Sequence, residues 1–232
     1  MSELIAYKSN ALIEASYKLT LQEQRLLLMC IGKLNPLDKT PQKTFKITSG
    51  DFYLAFPDMG KSNAERHLKE AIDKLAERWI YIQNNNERRR IRWIQEEAEY
   101  FEGEGKIEIV FADSIMPYLT QLQGQFTKIV IKNVSTLKSV YSIRLYELLM
   151  QFKVIGDRLI SINDFRSMLG LDEKKYATFK SLNQWVIKPA IKELNQKSNL
   201  SVTVDTVKKG RSVFALHFHF KEDQQIKMML ED

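Results

Sequence analysis

Ile160-Ser161-Ile162-Asn163-Asp164-Phe165 reads as a short strand running into a helix, and Ile47-Thr48-Ser49-Gly50-Asp51-Phe52 in the first half of the chain has the same form. Each is preceded by an apolar helix. The first opens with Thr20-Leu21-Gln22-Glu23, a capping-box pattern, and runs to about Leu34. The second opens near Ser135-Thr136-Leu137 and carries Tyr141, Leu145, Leu148, Leu149 and Phe152 at helical spacing. Each is followed by a longer helix, Lys69-Glu70-Ala71-Ile72-Asp73-Lys74-Leu75 against Lys188-Pro189-Ala190-Ile191-Lys192-Glu193-Leu194. Each copy then closes with a β-hairpin. The first is Trp79–Gln83, a turn at Asn84-Asn85-Asn86 and a return through Trp93; the second is Leu200–Val207, a turn at Lys208-Lys209-Gly210-Arg211 and a return over Ser212–Phe220.

Helix, strand, helix, helix, hairpin is the order of a winged helix, in which the second and third helices form a helix-turn-helix and the hairpin is the wing. The expected fold is α+β: two tandem winged-helix domains related by an internal repeat. The boundary is placed near Gly124, after a helix around Ser114–Leu122 and before a strand Phe126–Lys132. That gives an N-terminal domain 1–124 and a C-terminal domain 125–232.

Charge separates the halves. Residues 1–124 hold 17 Lys/Arg and 18 Asp/Glu, whereas residues 125–221 hold 17 and 7, a net +10 within a chain of +6. A polyanion partner for the second half follows, because each phosphate neutralised releases condensed counterions. Leu26-Leu27-Leu28-Met29-Cys30-Ile31 is the longest apolar run and is too short to span a membrane. Met1-Ser2-Glu3-Leu4 has no signal-peptide pattern. The lone Cys30 reads as a small buried hydrophobe, which fits a reducing cytoplasm.

The candidate DNA reader is the helix after Gly170. With Thr178 as N-cap, Phe179, Leu182, Val186, Ala190 and Leu194 form its buried stripe, while Lys180, Ser181, Gln184, Trp185 and Lys188 lie on the flank or outward. The first turns of such a helix meet base edges in the major groove: Gln184 suits adenine, Lys180 and Lys188 suit guanine or phosphate, and Ser181 suits either. Lys174, Lys175 and Tyr176 precede it, placed for backbone phosphates. Pro189 inside this helix removes an N–H and is expected to kink it. Lys208, Lys209 and Arg211 around Gly210 fit a wing tip lying along a phosphate backbone. The corresponding first-domain helix, Asn63–Arg78, balances Glu65, Glu70, Asp73 and Glu77 against Arg66, Lys69, Lys74 and Arg78, which reads as helix stabilisation rather than groove reading. Arg88, Arg89 and Arg90 on its hairpin still offer phosphate contacts, so the first domain reads as an interaction domain with secondary DNA contact.

His217-Phe218-His219 is the one constellation with an enzymatic reading, since two histidines on one face of a strand can hold a metal beside a catalytic tyrosine. No tyrosine follows it, and only Glu222 or Asp223 offers a third ligand nearby in sequence. Phe214, Leu216, Phe218 and Phe220 alternate as in a core strand with its histidines outward. With no phosphate loop, paired cysteines or nucleophile elbow, no catalytic residue, metal or cofactor is expected.

Three further pieces carry a family resemblance over roughly Lys8–Lys221. They are Ser9-Asn10-Ala11-Leu12-Ile13 with Leu19-Thr20-Leu21-Gln22-Glu23-Gln24-Arg25-Leu26; Tyr141-Ser142-Ile143-Arg144-Leu145-Tyr146-Glu147-Leu148-Leu149; and Pro189-Ala190-Ile191-Lys192-Glu193-Leu194-Asn195. In this order the sequence resembles the Rep initiator proteins of iteron-containing plasmids. The resemblance implies two winged-helix domains without catalytic activity and binding to directly repeated origin sequences in double-stranded DNA. It implies a monomer that helps open the origin, a dimer that represses its own promoter, and host initiator and replicative helicase as partners. On that pattern the helix Phe179–Asn195 is the main reader and the first domain supplies much of the dimer contact. Members are often more basic around Gln184 and Trp185, so the repeat sequence does not carry over. The competing reading is a dimeric winged-helix transcriptional repressor without a replication role, which would favour inverted half-sites.

Overall fold

The computed structural model describes residues 4–83, 87–96, 100–101, 106–120, 122, 124–172 and 174–223. The expected turn at Asn84-Asn85-Asn86 lies outside them. The chain opens with β1 (Ile5–Ser9), α1 (Asn10–Glu14) and β2 (Ser16–Tyr17). Then α2 (Leu21–Gly32) begins at the foreseen capping box: Thr20 Oγ1 accepts from the Glu23 N–H at 3.3 Å while the Glu23 carboxylate accepts from the Thr20 N–H. Leu26 to Ile31, including Cys30, are all buried, so α2 is a central helix rather than a surface one.

The first copy continues as β3 (Thr44–Thr48), α3 (Ser49–Ala55), α4 (Lys61–Leu75), β4 (Trp79–Gln83) and β5 (Arg88–Arg92). The order is the expected one, but the pairing is not that of a simple wing. β4 and β5 join β2 in one sheet, and β3 is taken instead by β8 (Lys106–Phe111), which also pairs with β6 (Ile94–Glu96) and β7 (Tyr100–Phe101). Lys-Ile-Glu-Ile-Val-Phe in β8 buries Ile107, Ile109 and Phe111, and this apolar face completes the sheet over the first core. The expected helix around Ser114–Leu122 is a single 3-10 turn, Met116–Tyr118, with Pro117 inside it. A proline there has no N–H to extend a helix from the preceding residues.

The second copy is more regular. β9 (Phe126–Val130) pairs antiparallel with β1, so a two-stranded sheet ties the start of the chain to the segment after Gly124. α5 (Val140–Met150) starts later than the Ser135-Thr136-Leu137 pattern suggested. The Glu193 carboxylate accepts from the Lys138 and Ser139 N–H groups at 2.9 and 3.2 Å and holds that stretch extended, and the Ser139 hydroxyl caps the helix. There follow β10 (Asp157–Ser161), α6 (Ile162–Met168), α7 (Phe179–Leu182), a π-turn over Asn183–Ile187, α8 (Lys188–Lys197), β11 (Leu200–Lys209) and β12 (Ser212–Glu222). The sheet order β10-β12-β11 is that of a winged helix.

The copies are joined by a buried polar cluster. The Glu147 carboxylate accepts from Lys8 Nζ at 2.6 Å and Gln24 Nε2 at 3.2 Å, and from Arg144. Arg144 also donates to the carbonyls of Ile13 and Ala15 in the first half and of Met168 in the second, and stacks 4.1 Å over the Tyr17 ring. Burial pushes the Glu147 carboxyl up, but Lys8 and Arg144 overcome that and hold it below the usual carboxylate range. Burial lowers the Lys8 ammonium; Glu147 pulls it back up, and repulsion from Arg144 adds to the lowering. Nearby, Gly170 has φ +61°, and a Cβ there would stand 2.1 Å from the Tyr17 carbonyl oxygen. Only glycine allows that approach.

Candidate nucleic-acid interface

The helix-turn-helix of the second copy is built from local bonds. Ser161 caps α6 through the Asp164 N–H at 3.1 Å. Arg166, near the end of α6, reaches back under the turn and donates to the carbonyls of Asp172, Lys175 and Tyr176 at 2.8–2.9 Å. Those bonds hold Tyr176 at φ +53°, an unfavourable angle for a residue with a Cβ. The chain can then turn sharply into Thr178, whose hydroxyl caps α7 by accepting from the Ser181 N–H at 3.2 Å, as its spacing predicts.

Leu182, Val186, Ala190 and Leu194 are buried and Phe179 is half-buried, in the expected stripe. Ile187 is also fully buried, which an α-helical period does not foresee. The cause is the π-turn: the Lys188 N–H donates to the Asn183 carbonyl five residues back. One extra residue per turn brings Val186 and Ile187 both inward. Pro189 follows directly on that wider turn, within a run that stays helical from Phe179 to Lys197. The wider turn therefore lies immediately before the residue where a kink was expected.

On the outer side Lys180, Gln184, Trp185 and Lys188 are exposed and Ser181 is half-buried; Trp185 is 59 % exposed, unusual for so large an apolar ring. Lys192, four residues past Lys188 and exposed, extends the row; the sequence reading did not single it out. Lys174 is exposed. Lys175 is partly committed, with Nζ 3.2 Å from the Tyr141 hydroxyl and near the Tyr176 ring; the Tyr141 hydroxyl raises its pKa.

At the wing, β11 and β12 run to a tip at Gly210, whose φ of +64° suits the first position of a two-residue hairpin turn. Lys208, Lys209 and Arg211 are exposed around it. The register slips beside them, with Val207 opposite Ala215 but Lys208 opposite Val213, so Phe214 is the extra residue of a bulge. Phe214 is therefore 54 % exposed rather than a core residue, a correction to the alternation read from the sequence, and lies 6.0 Å from Lys209 Nζ.

Comparison with known proteins agrees with this architecture. Residues 5–150 match the family described as initiator replication protein, WH1, and residues 161–220 match initiator Rep protein, WH2. The chain belongs to the initiator Rep protein family. It is similar to a replication initiation protein of Escherichia coli, 35 % identical over all of this chain and 74 % of that protein. It is also similar to the PI protein of Escherichia coli, 26 % identical over 93 % of this chain and 82 % of the relative. Among solved structures, the Pi initiator protein in complex with iteron DNA superposes with a TM-score of 0.81, covering 97 % of this chain and 99 % of the other at 23 % identity. That likeness carries the fold: two winged helices.

In this Rep chain the first-domain hairpin carries its arginines on an aromatic ledge. Arg88 lies over Tyr81, and Arg90 and Arg92 lie over Trp79 at 4.0 and 3.9 Å. Arg89 points to the other side and pairs with Glu87 at 2.7 Å. The three named arginines are exposed, but they do not share one face. On α4, Arg66 pairs with Glu70 at 3.0 Å, as helix-stabilising spacing suggests. Of the two tail carboxylates offered as partners for His217 and His219, Glu222 is engaged elsewhere: it pairs with Lys153 at 2.8 Å and accepts from Asn199 Nδ2 at 2.9 Å. Arg166 escaped the sequence reading because a lone arginine at a helix end carries no signal until the turn it braces is folded.

Proposed function

We propose that this Rep-family chain initiates plasmid replication by reading directly repeated iterons in double-stranded DNA through its second domain, residues 125–232. What carries the reading is one exposed row, Lys180, Gln184, Trp185 and Lys188, on a helix whose N-cap and braced turn present it rigidly, in the half of the chain that carries the positive excess. Gln184 pairs with adenine, Lys180 and Lys188 with guanine or phosphate, and Ser181 with either, while Trp185 faces outward among them. Lys174, Lys175 and Tyr176 border the helix start and, with Lys208, Lys209 and Arg211 on the wing, grip phosphates.

The first domain, residues 1–124, serves dimerisation and adds phosphate contacts through Arg88, Arg89 and Arg90. A monomer binds iterons and helps open the origin with the host initiator and replicative helicase, and a dimer represses the chain's own promoter. Concentration and DNA shift the balance by mass action. The iteron complex of the structurally similar Pi initiator and the replication initiation relative in Escherichia coli support this reading.

Footprinting on the DNA flanking the gene tests it, across a salt series and with Lys180, Gln184 and Lys188 changed together to Ala. Several protected direct repeats, lost in the variant, are expected. A single inverted site at the promoter would instead mark a repressor, and no specific protection by the wild type would overturn the proposal.

A further inference from the structure

We propose that Asp157, His217 and His219 bind one divalent cation of the zinc class on the outer face of the second-domain sheet. β12 is the central strand, so His217 and His219, two residues apart, project from the same side while Phe218 and Phe220 face the core. Asp157 on β10 lies directly opposite His219. Its carboxylate meets both rings: one oxygen contacts His217 Nε2, and the other is 3.3 Å from His219 Nδ1. One donor atom from each of the three residues lies within 4.8 Å of the other two. The imidazole centroids are 4.2 Å apart.

Two imidazole nitrogens and a carboxylate oxygen are the donor set of zinc and its neighbours, not of calcium or magnesium, which take oxygen ligands. Zinc holds such donors at about 2.0–2.2 Å in a tetrahedron, whose edges are then about 3.3–3.6 Å. The 3.3 Å between Asp157 and His219 is already such an edge. The other ring nitrogen of His219, Nε2, stands 3.3 Å from the Asp205 carboxylate on β11. A carboxylate behind a ligating histidine fixes its tautomer and aims its free nitrogen, the usual outer support of a metal site. The fourth position is left to water.

All four side chains are at least a third exposed, so an ion reaches them without the fold opening. The ligands come from two strands and the outer support from the third, so a bound ion would clip together the sheet that carries the wing. The role is structural and needs no tyrosine. It also gives the His217-Phe218-His219 pattern a use that DNA reading does not.

The test uses the untagged full-length protein, stripped of metal and titrated with cobalt(II), then zinc(II), by absorbance and calorimetry. One ion per chain is expected, with the absorption of a nitrogen–oxygen site and a zinc-dependent rise in the thermal midpoint. His217→Ala and His219→Ala should each weaken binding at least about tenfold, and Asp205→Asn about tenfold or more. His67→Gln, the remaining histidine, should leave it unchanged. The substituted residues lie on a half-exposed face, and circular dichroism of the metal-free variants confirms that they fold. Failure of the wild type to bind, or binding that survives when His217→Ala and His219→Ala are combined, would overturn the proposal and leave only hydrogen bonds among the three side chains. Neither result depends on DNA, so the outcome is separate from that of the footprint.

Discussion

Lys208, Lys209 and Arg211 form the wing tip, and changing all three to Ala should flatten the salt dependence of DNA binding. The three are exposed, and none has an ion-pair partner among the described residues, so each is available to a phosphate. Binding to duplex DNA loses about 0.9 in log K per log salt for each phosphate neutralised, so the triple variant should lose about 2.7 from the slope. Between about 50 and about 200 mM salt, that slope alone makes the wild type lose about 40-fold more affinity than the variant. Fluorescence anisotropy on a labelled repeat, at five or six salt concentrations, measures both slopes. The matching control is Gln184→Ala, which removes the proposed base contact but no charge. It should keep the wild-type slope and cost about 1–3 kcal/mol of discrimination at one base pair. A triple variant whose slope equals that of the wild type would refute the placement of this hairpin on the phosphate backbone. The cations would then be a solubilising tip.

Three further results are expected. Glu147→Gln strands Lys8 and Arg144 without their shared carboxylate and should cost about 3–5 kcal/mol in urea denaturation at neutral pH. Because the Glu147 carboxyl is lowered in the fold, its contribution is present above the ordinary carboxylate range and is lost as pH falls through the lowered value. The two proteins should therefore converge only in acid, and convergence near neutrality would contradict the pairing. Gly170→Ala combines a left-handed φ with a clash on the Tyr17 carbonyl, whereas Gly210→Ala has the same φ sign and open space. Both should lose about 1–2 kcal/mol for the backbone and only the first should lose more, with lower thermal midpoints to match; equal losses would argue against the close approach. Burial pushes the Cys30 thiol up to about 12, so thiol reagents should label it only as fast as the protein unfolds. Rapid labelling of the folded protein would place Cys30 nearer the surface.

Some features were legible because their causes are local. A hydroxyl followed three residues on by a carboxylate predicts the cap of α2 wherever the helix packs, and Thr178 caps α7 for the same kind of reason. Apolar spacing on the helix after Thr178 named Leu182, Val186, Ala190 and Leu194 as core and left Gln184, Trp185 and Lys188 outside, because a helical period fixes which residues share a face. Charge asymmetry needs no fold at all.

Other features depended on partners far along the chain. Nothing in Thr44–Thr48 says that it will pair with Lys106–Phe111 rather than with the adjacent hairpin, since a strand edge accepts any complementary edge that burial favours. The late start of α5 waits on the carboxylate of Glu193, and the exposure of Phe214 on a register slip between two strands. His217 and His219 were visible as a pair from the alternation of one strand. Their third companion, Asp157, comes from another strand, sixty residues before His217. The sequence by itself determined the order of the repeated elements, the caps of α2 and α7 and the exposed basic face of the helix after Thr178, all set within a few residues. Only the tertiary structure decided which strands pair and which side chains from distant strands meet, because burial of the whole chain selects among edges that are locally equivalent.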